Sequence, residues 1–191
     1  DHYAPVIFQL GEKRENVFYI LSKEIGKKIP EEYRKRYKDR IRLVKAGERF
    51  CLNISEESLI VETFHSTDEG VAFWLSCEGK EIYHAGDLNN WWWEGEDMAW
   101  NRNMAASYKQ EMKKLSGRTA DLAFIPVDPR QEQWFYLGAA GFMEQADAKW
   151  IFPMHFWGEY DVAERLKQLP CSAGYRDRVV EIHEEGESWE I

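Results

Sequence analysis

Cysteine is scarce in this chain. Cys51, Cys77 and Cys171 are odd in number and far apart, with no CxxC pair among them. That usage excludes a disulfide framework and a zinc ribbon, and reads as reduced, mostly buried thiols of an intracellular, cytoplasmic protein. No apolar run approaches the roughly 20 residues a membrane span needs, and no secretory signal opens the chain. Cations are outnumbered: 25 Lys and Arg face 34 Asp and Glu, a net charge of −9. General binders of nucleic acid or anionic membranes need clustered cations, so neither is expected as a partner. Internal repeats, low-complexity segments and interdomain linkers are also missing. There is no initiating methionine; the chain opens Asp1-His2-Tyr3-Ala4-Pro5, which reads as processing, truncation or an upstream segment.

Apolar material is plentiful. Of 191 residues, 44% are hydrophobic and 15% aromatic, enough for a sizeable core in one domain spanning residues 1–191. A short helix is expected around Val6–Leu10 and a strand at Val17–Leu21. The charged run Lys23–Lys45 holds a helix start at Pro30-Glu31-Glu32, with Arg34, Lys35, Arg36 and Lys38 following. Because the run carries its own acids, it reads as a solvated helix rather than a basic patch. Short strands follow at Ile41–Val44, Leu59–Thr63, Gly70–Cys77 and Lys80–His84, the last two joined by a Glu78-Gly79 turn. Met104, Tyr108, Met112 and Leu115 then mark a helix over Trp100–Leu115. Beyond it, buried strands are expected at Leu122–Val127 and Trp150–Pro153, helices at Leu137–Ala148 and Tyr160–Leu169, and a closing hairpin from Val179–His183 and Ser188–Ile191. Strands early, then alternating helix and strand, predict mixed sheets covered by helices.

The chemistry-bearing residues gather after strands. Ile82-Tyr83-His84 breaks at Gly86 and delivers Asp87 to a loop, where a carboxylate can bind a metal ion or simply cap a turn. Asp128 follows Leu122–Val127, and His155 follows Trp150–Pro153. Loops at the C-terminal ends of strands converge on one edge of an α/β sheet, and carboxylate plus imidazole is a fitting donor set for a borderline divalent ion. His155 sits in an apolar loop where an unpaired imidazole is costly, so it needs a partner. His84 reads as a packed or supporting histidine, His183 as an exposed one. Asp128 and Arg130 read as structural before anything else. Trp91-Trp92-Trp93 either lines a substrate mouth or packs.

Ser66-Thr67-Asp68-Glu69-Gly70, His84-Ala85-Gly86-Asp87 and Phe152-Pro153-Met154-His155 together resemble the metallo-β-lactamase superfamily, over Asp1 to about Leu169. The resemblance implies an α+β fold, a four-layer αββα sandwich of which this chain holds the larger, C-terminal part. It also implies that Asp1-His2 are the last two residues of an HxHxDH motif whose first half and preceding strands are absent. Asp1 and His2 would then belong to a second metal site that His155 completes, and Asp87 would bridge two ions. Asp1 would also orient the nucleophile. His65, in Phe64-His65-Ser66, lacks the glycine that usually precedes the middle histidine, and stands as a metal or substrate contact. The implied cofactor is a divalent metal pair, zinc first, with manganese or iron as alternatives. The implied activity is hydrolysis of a small ester, lactone, amide or phosphoester by a metal-activated water. The alternative is a metal-poor relative serving binding or assembly. An RNA-processing nuclease is disfavoured by the acidic balance. Missing strands would leave exposed edges, so a homo-oligomer or pairing with the missing segment is expected.

Overall fold

The computed structural model describes residues 3–54 and 57–191, Ile54 by its backbone alone. It is an α+β protein with two sheets. The N-terminal lobe opens with a 3-10 turn over Pro5–Gln9, α1 (Leu10–Lys13) and β1 (Tyr19–Ser22). A second 3-10 turn over Lys23–Lys27, α2 (Glu31–Arg36) and β2 (Ile41–Val44) complete it. β1 and β2 pair in parallel, with Tyr19 opposite Ile41. An aromatic cluster rather than an aliphatic core holds the lobe. The Phe8 ring lies 4.7 Å from both Tyr19 and Tyr33, and Phe8, Tyr19 and Tyr37 are buried. Burial leaves the two phenols needing partners, and both donate to the Phe8 carbonyl, at 3.2 and 3.3 Å. The charged run is solvated as expected: Lys35 and Glu31 pair at 2.6 Å along an exposed face of α2.

The larger sheet has six strands in sequence order: β3 (Arg49–Ile54), β4 (Glu57–His65), β5 (Val71–Cys77), β6 (Lys80–His84), β7 (Thr119–Pro126) and β8 (Asp147–Met154). Its first half is antiparallel, β3 to β6. Glu78 (φ 50°) and Gly79 (φ 73°) join β5 to β6, the doubly left-handed pair that a two-residue hairpin turn requires. The second half is parallel, β6 to β8, and each parallel step needs a crossover. α3 (Met98–Lys113) makes the first crossover and α4 (Leu137–Gln145) the second.

Strand periodicity sorts the two faces. The row Trp74, Tyr83, Ala123, Ile151 crosses β5 to β8 on one face, and all four are buried with Tyr108, Met112 and Phe142 of the helices. Tyr83 stacks on Phe142 at 4.8 Å. The next row, Phe73, His84, Phe124 and Phe152, lies on the opposite face. There a cleft separates the sheet from the N-terminal lobe. Of the expected sandwich, the described residues form this six-stranded sheet with its helices and the smaller two-stranded sheet. No helix among them is long and apolar enough to cross a membrane.

Four expectations need correction. β3 was not anticipated, although Phe50, Leu52 and Ile54 alternate with Arg49, Cys51 and Asn53 along it. The expected helix Leu137–Ala148 ends at Gln145, since Asp147 and Ala148 pair with Thr119 and Ala120 of β7. The closing hairpin does not form: Val179 makes a lone parallel bridge to Ile151, and residues 180–191 run without strand structure. The cysteines are free but not mostly buried. Cys51 and Cys171 are exposed and Cys77 is half-buried.

Candidate metal centre

The parallel half of the sheet brings three side chains to one edge. β6, β7 and β8 run the same way, so the chain leaves all three at the same end, carrying Asp87, Asp128 and His155. Gly86 makes the first exit. Its φ is 54°, and a Cβ there would stand 2.9 Å from the Val71 carbonyl, so only glycine fits without displacing backbone. Asp87 follows on a loop that other residues tie down. Trp91 donates its indole N–H to the Asp87 carbonyl at 2.9 Å. Thr67 accepts from the Asn89 N–H at 3.0 Å and donates to the Asn89 carbonyl at 2.6 Å. Buried Gln131 accepts from the Asn89 amide at 2.9 Å and donates to the Asn90 carbonyl at 2.8 Å. Gly138 makes room for this pair; a Cβ there would sit 1.8 Å from Asn89 Oδ1.

His155 leaves β8 in a left-handed conformation (φ 66°), and Trp157 (φ 54°) repeats it two residues later. Each such non-glycine residue costs on the order of 1–3 kcal/mol, a strain that clusters at functional sites. The strain turns the imidazole toward two carboxylates. His155 Nδ1 lies 2.8 Å from Asp128 Oδ2, and Nε2 lies 3.6 Å from Asp87 Oδ1. Asp128 is fully buried. Its oxygens also accept the Arg130 backbone N–H at 2.9 Å and the guanidinium through Nε at 3.0 Å and Nη2 at 2.5 Å. Burial pushes this carboxyl up, but the bonds from His155 and Arg130 outweigh it and hold Asp128 well below the usual carboxylate range. The same bond to Asp128, then Asp87, raises His155 to about 9.

Asp128 fixes which imidazole nitrogen faces Asp87. A carboxylate accepting from Nδ1–H leaves Nε2 as the donor atom, facing Asp87, the arrangement by which metal-ligating histidines are oriented. A tetrahedral ion with bonds of about 2.0–2.2 Å sets its ligand atoms roughly 3.4 Å apart. The 3.6 Å between Nε2 and the Asp87 oxygen fits that spacing. Aromatic rings enclose the pair: Trp91 and Trp157 meet the His155 ring edge-on at 5.1 and 5.6 Å. Arg130 lies 4.4 Å over Trp157.

The structure thus brings Asp87 and His155 together and does not bring His65 with them. His65 ends β4 with its backbone N–H donating to Glu111 at 3.2 Å. It lines a separate cavity of about 500 Å³ and neither of the two that Asp87 lines. Asp1 and His2 lie outside the described residues. Among those described, no group of three or more His, Cys, Asp or Glu is spaced to hold a metal. His84 lies on the cleft side of the sheet, its ring 5.7 Å from Phe124 and its Nδ1 accepting the Gly86 N–H at 3.1 Å, in keeping with a supporting role. His183 is exposed and pairs with Glu187 at 3.3 Å. Asp128 is more than a structural residue, since it orients His155. Asn89, Gln131 and Thr67 were not anticipated, because ordinary polar loop residues carry no local signal of what they tether.

No protein-family model matches the chain, and no curated protein does. Several solved structures are similar to it at low identity. One is a candidate zinc-dependent hydrolase of the metallo-β-lactamase superfamily from Thermotoga maritima, with 13% identity and a TM-score of 0.30, covering 63% of this chain and 52% of its own. Zn²⁺-bound PqqB from Methylobacterium extorquens shares 12% identity at a TM-score of 0.41, covering 90% and 63% respectively. CmlA, a diiron β-hydroxylase from Streptomyces venezuelae, shares 9% at 0.36, covering 65% and 32%. The chain therefore spans about a third to under two thirds of these proteins' lengths. Neither a family nor a residue role for this chain follows from them.

Proposed function

We propose that the protein is a metal-dependent hydrolase of a small ester, lactone, amide or phosphoester, with Asp87 and His155 as ligands of a divalent ion. The observation that carries this reading is His155 held at Nδ1 by Asp128, with Nε2 3.6 Å from the Asp87 carboxylate. Asp1 and His2 are assigned to the same centre from the sequence motif, with a second ion, and His65 to a neighbouring substrate contact. A bound divalent ion would supply a water acidified toward neutrality and a Lewis acid for the scissile carbonyl or phosphoryl group. The chain's own residues do the rest. Asp87 contributes charge that offsets the cation. Asp128 keeps the His155 proton on Nδ1, so that Nε2 offers its lone pair. Trp91 and Trp157 keep bulk water from the imidazole, and Thr67 and Gln131 hold the Asp87 loop at its distance.

Metal content decides it. Protein purified without chelator is expected to carry about two equivalents of zinc, manganese or iron by plasma mass spectrometry, falling sharply in Asp87→Ala. No metal in either protein would overturn the hydrolase reading in favour of a binding or assembly module.

A further inference from the structure

The centre opens onto a cleft that its own chemistry does not explain. The cleft, of about 950 Å³, runs between the N-terminal lobe and the face of the sheet away from the helices. One wall is Ile20, Leu21 and Ile25; the other is Phe73, Met154 and Phe156. Asp87, His155 and His84 also line it. The volume is at the upper end of the range for small-molecule sites, and such sites are mostly apolar with a few polar groups at the reacting position. β1 explains why one wall faces open space. Tyr19 is buried in the aromatic cluster of the lobe, Leu21 and Ile25 both pack on that cluster and line the cleft, and Ile20 alternates away from Tyr19 and is half-buried at the cleft. The two walls meet near Gly70, where a Cβ would come 3.8 Å from Ser22 Oγ.

We infer that the substrate carries an aliphatic acyl arm, which lies in this cleft and presents its carbonyl to Asp87 and His155. The inference rests on the proposed hydrolase reading and narrows it to acyl esters or related acyl compounds. In hydrolysis of such an ester, water oxygen bonds to the acyl carbon and the acyl C–O bond breaks. The leaving oxygen departs with its electron pair and a proton from the water, and nothing is oxidised or reduced. A chain in the cleft removes methylenes from water, so each added CH₂ should raise kcat/KM by up to roughly fourfold until the cleft is filled.

The test uses p-nitrophenyl acetate, butyrate and octanoate with the metal-loaded protein, its Ile20→Trp variant, which fills the cleft, and Ile20→Ala, which widens it. Octanoate is expected to exceed acetate by about a hundredfold or more in kcat/KM. Ile20→Trp should lower octanoate turnover at least tenfold and acetate turnover by several-fold less, and Ile20→Ala should keep the preference for octanoate. Binding is measured in parallel by calorimetry with octanamide and butyramide, neutral probes whose affinity does not depend on turnover. Octanamide should bind at least tenfold tighter than butyramide, and lose that advantage in Ile20→Trp. A flat ester series, or equal binding of the two amides, overturns the acyl-arm assignment while leaving the hydrolase reading standing. Absent turnover with octanamide still preferred leaves the cleft assignment and removes the hydrolase reading. Equal losses on acetate and octanoate in Ile20→Trp, with an unchanged melting temperature, would also overturn the cleft assignment.

Discussion

Two regions of the molecule are stabilised in opposite ways. The N-terminal lobe is built around packed rings: Phe8 lies 4.7 to 5.9 Å from Tyr19, Tyr33 and Tyr37, and the Tyr19 and Tyr37 hydroxyls both bond the Phe8 carbonyl. The edge where β6, β7 and β8 end is held by polar groups. There a fully buried carboxylate, Asp128, joins a histidine to an arginine, and a buried glutamine fastens the loop that carries Asp87. Dispersion and apolar burial tolerate small shifts, because they fall off with area. A buried ionic network does not, because losing one member leaves the others desolvated and unpaired. Truncation is costly in both regions, through lost packing in the lobe and through unpaired charge at the edge.

The largest break in that comparison is Asp128→Ala. It leaves His155 without its Nδ1 acceptor and Arg130 without its carboxylate, and should cost about 3–5 kcal/mol in denaturant unfolding. Metal content should fall with it. Retained stability with retained metal would mean that Asp128 positions nothing. Next is Phe8→Ala, which removes the ring at the centre of the lobe and should cost about 3–5 kcal/mol, with the loss confined to the lobe in hydrogen exchange. Protection of β6 to β8 should be unchanged; equal loss in the sheet would show that lobe and edge fold as one unit.

The smallest effect is on pH and sharpens the role of the edge. In metal-free protein His155 is raised to about 9 from an ordinary value near 6.5. A raised folded value means that protonation stabilises the fold, fully below pH 6.5, and that this contribution is lost as pH climbs toward 9. The melting temperature of the metal-free protein should fall across that window, and Asp128→Asn should flatten the fall. A wild-type profile that is level from pH 6.5 to 9 would remove the His155–Asp128 coupling.

Much of the sheet was legible in the sequence, for local reasons. Val71–Cys77 and Lys80–His84 are short runs rich in strand-forming residues separated by Glu78-Gly79, so their pairing is decided by neighbours. The helix spacing of Met104, Tyr108 and Met112 fixes its buried side in the same way. β3 was missed although its residues alternate, Phe50 and Leu52 half-buried and Cys51 and Asn53 exposed, where it pairs with β4. The end of α4 was missed by three residues because the pairing of Asp147 with Thr119, 28 residues away, outcompetes helix extension. At the centre, Asp87 and His155 were readable from their places after strands, while Asp128 was read as structural. Its role depends on a histidine 27 residues away.

By itself the sequence determined that strands would end at Gly86, at Asp128 and before His155, because glycine, charge and apolar runs act on the nearest residues. Tertiary structure alone decided that these three ends share one edge. Parallel pairing sets strand order through contacts far apart in the chain, and only that order brings Nε2 of His155 within 3.6 Å of Asp87.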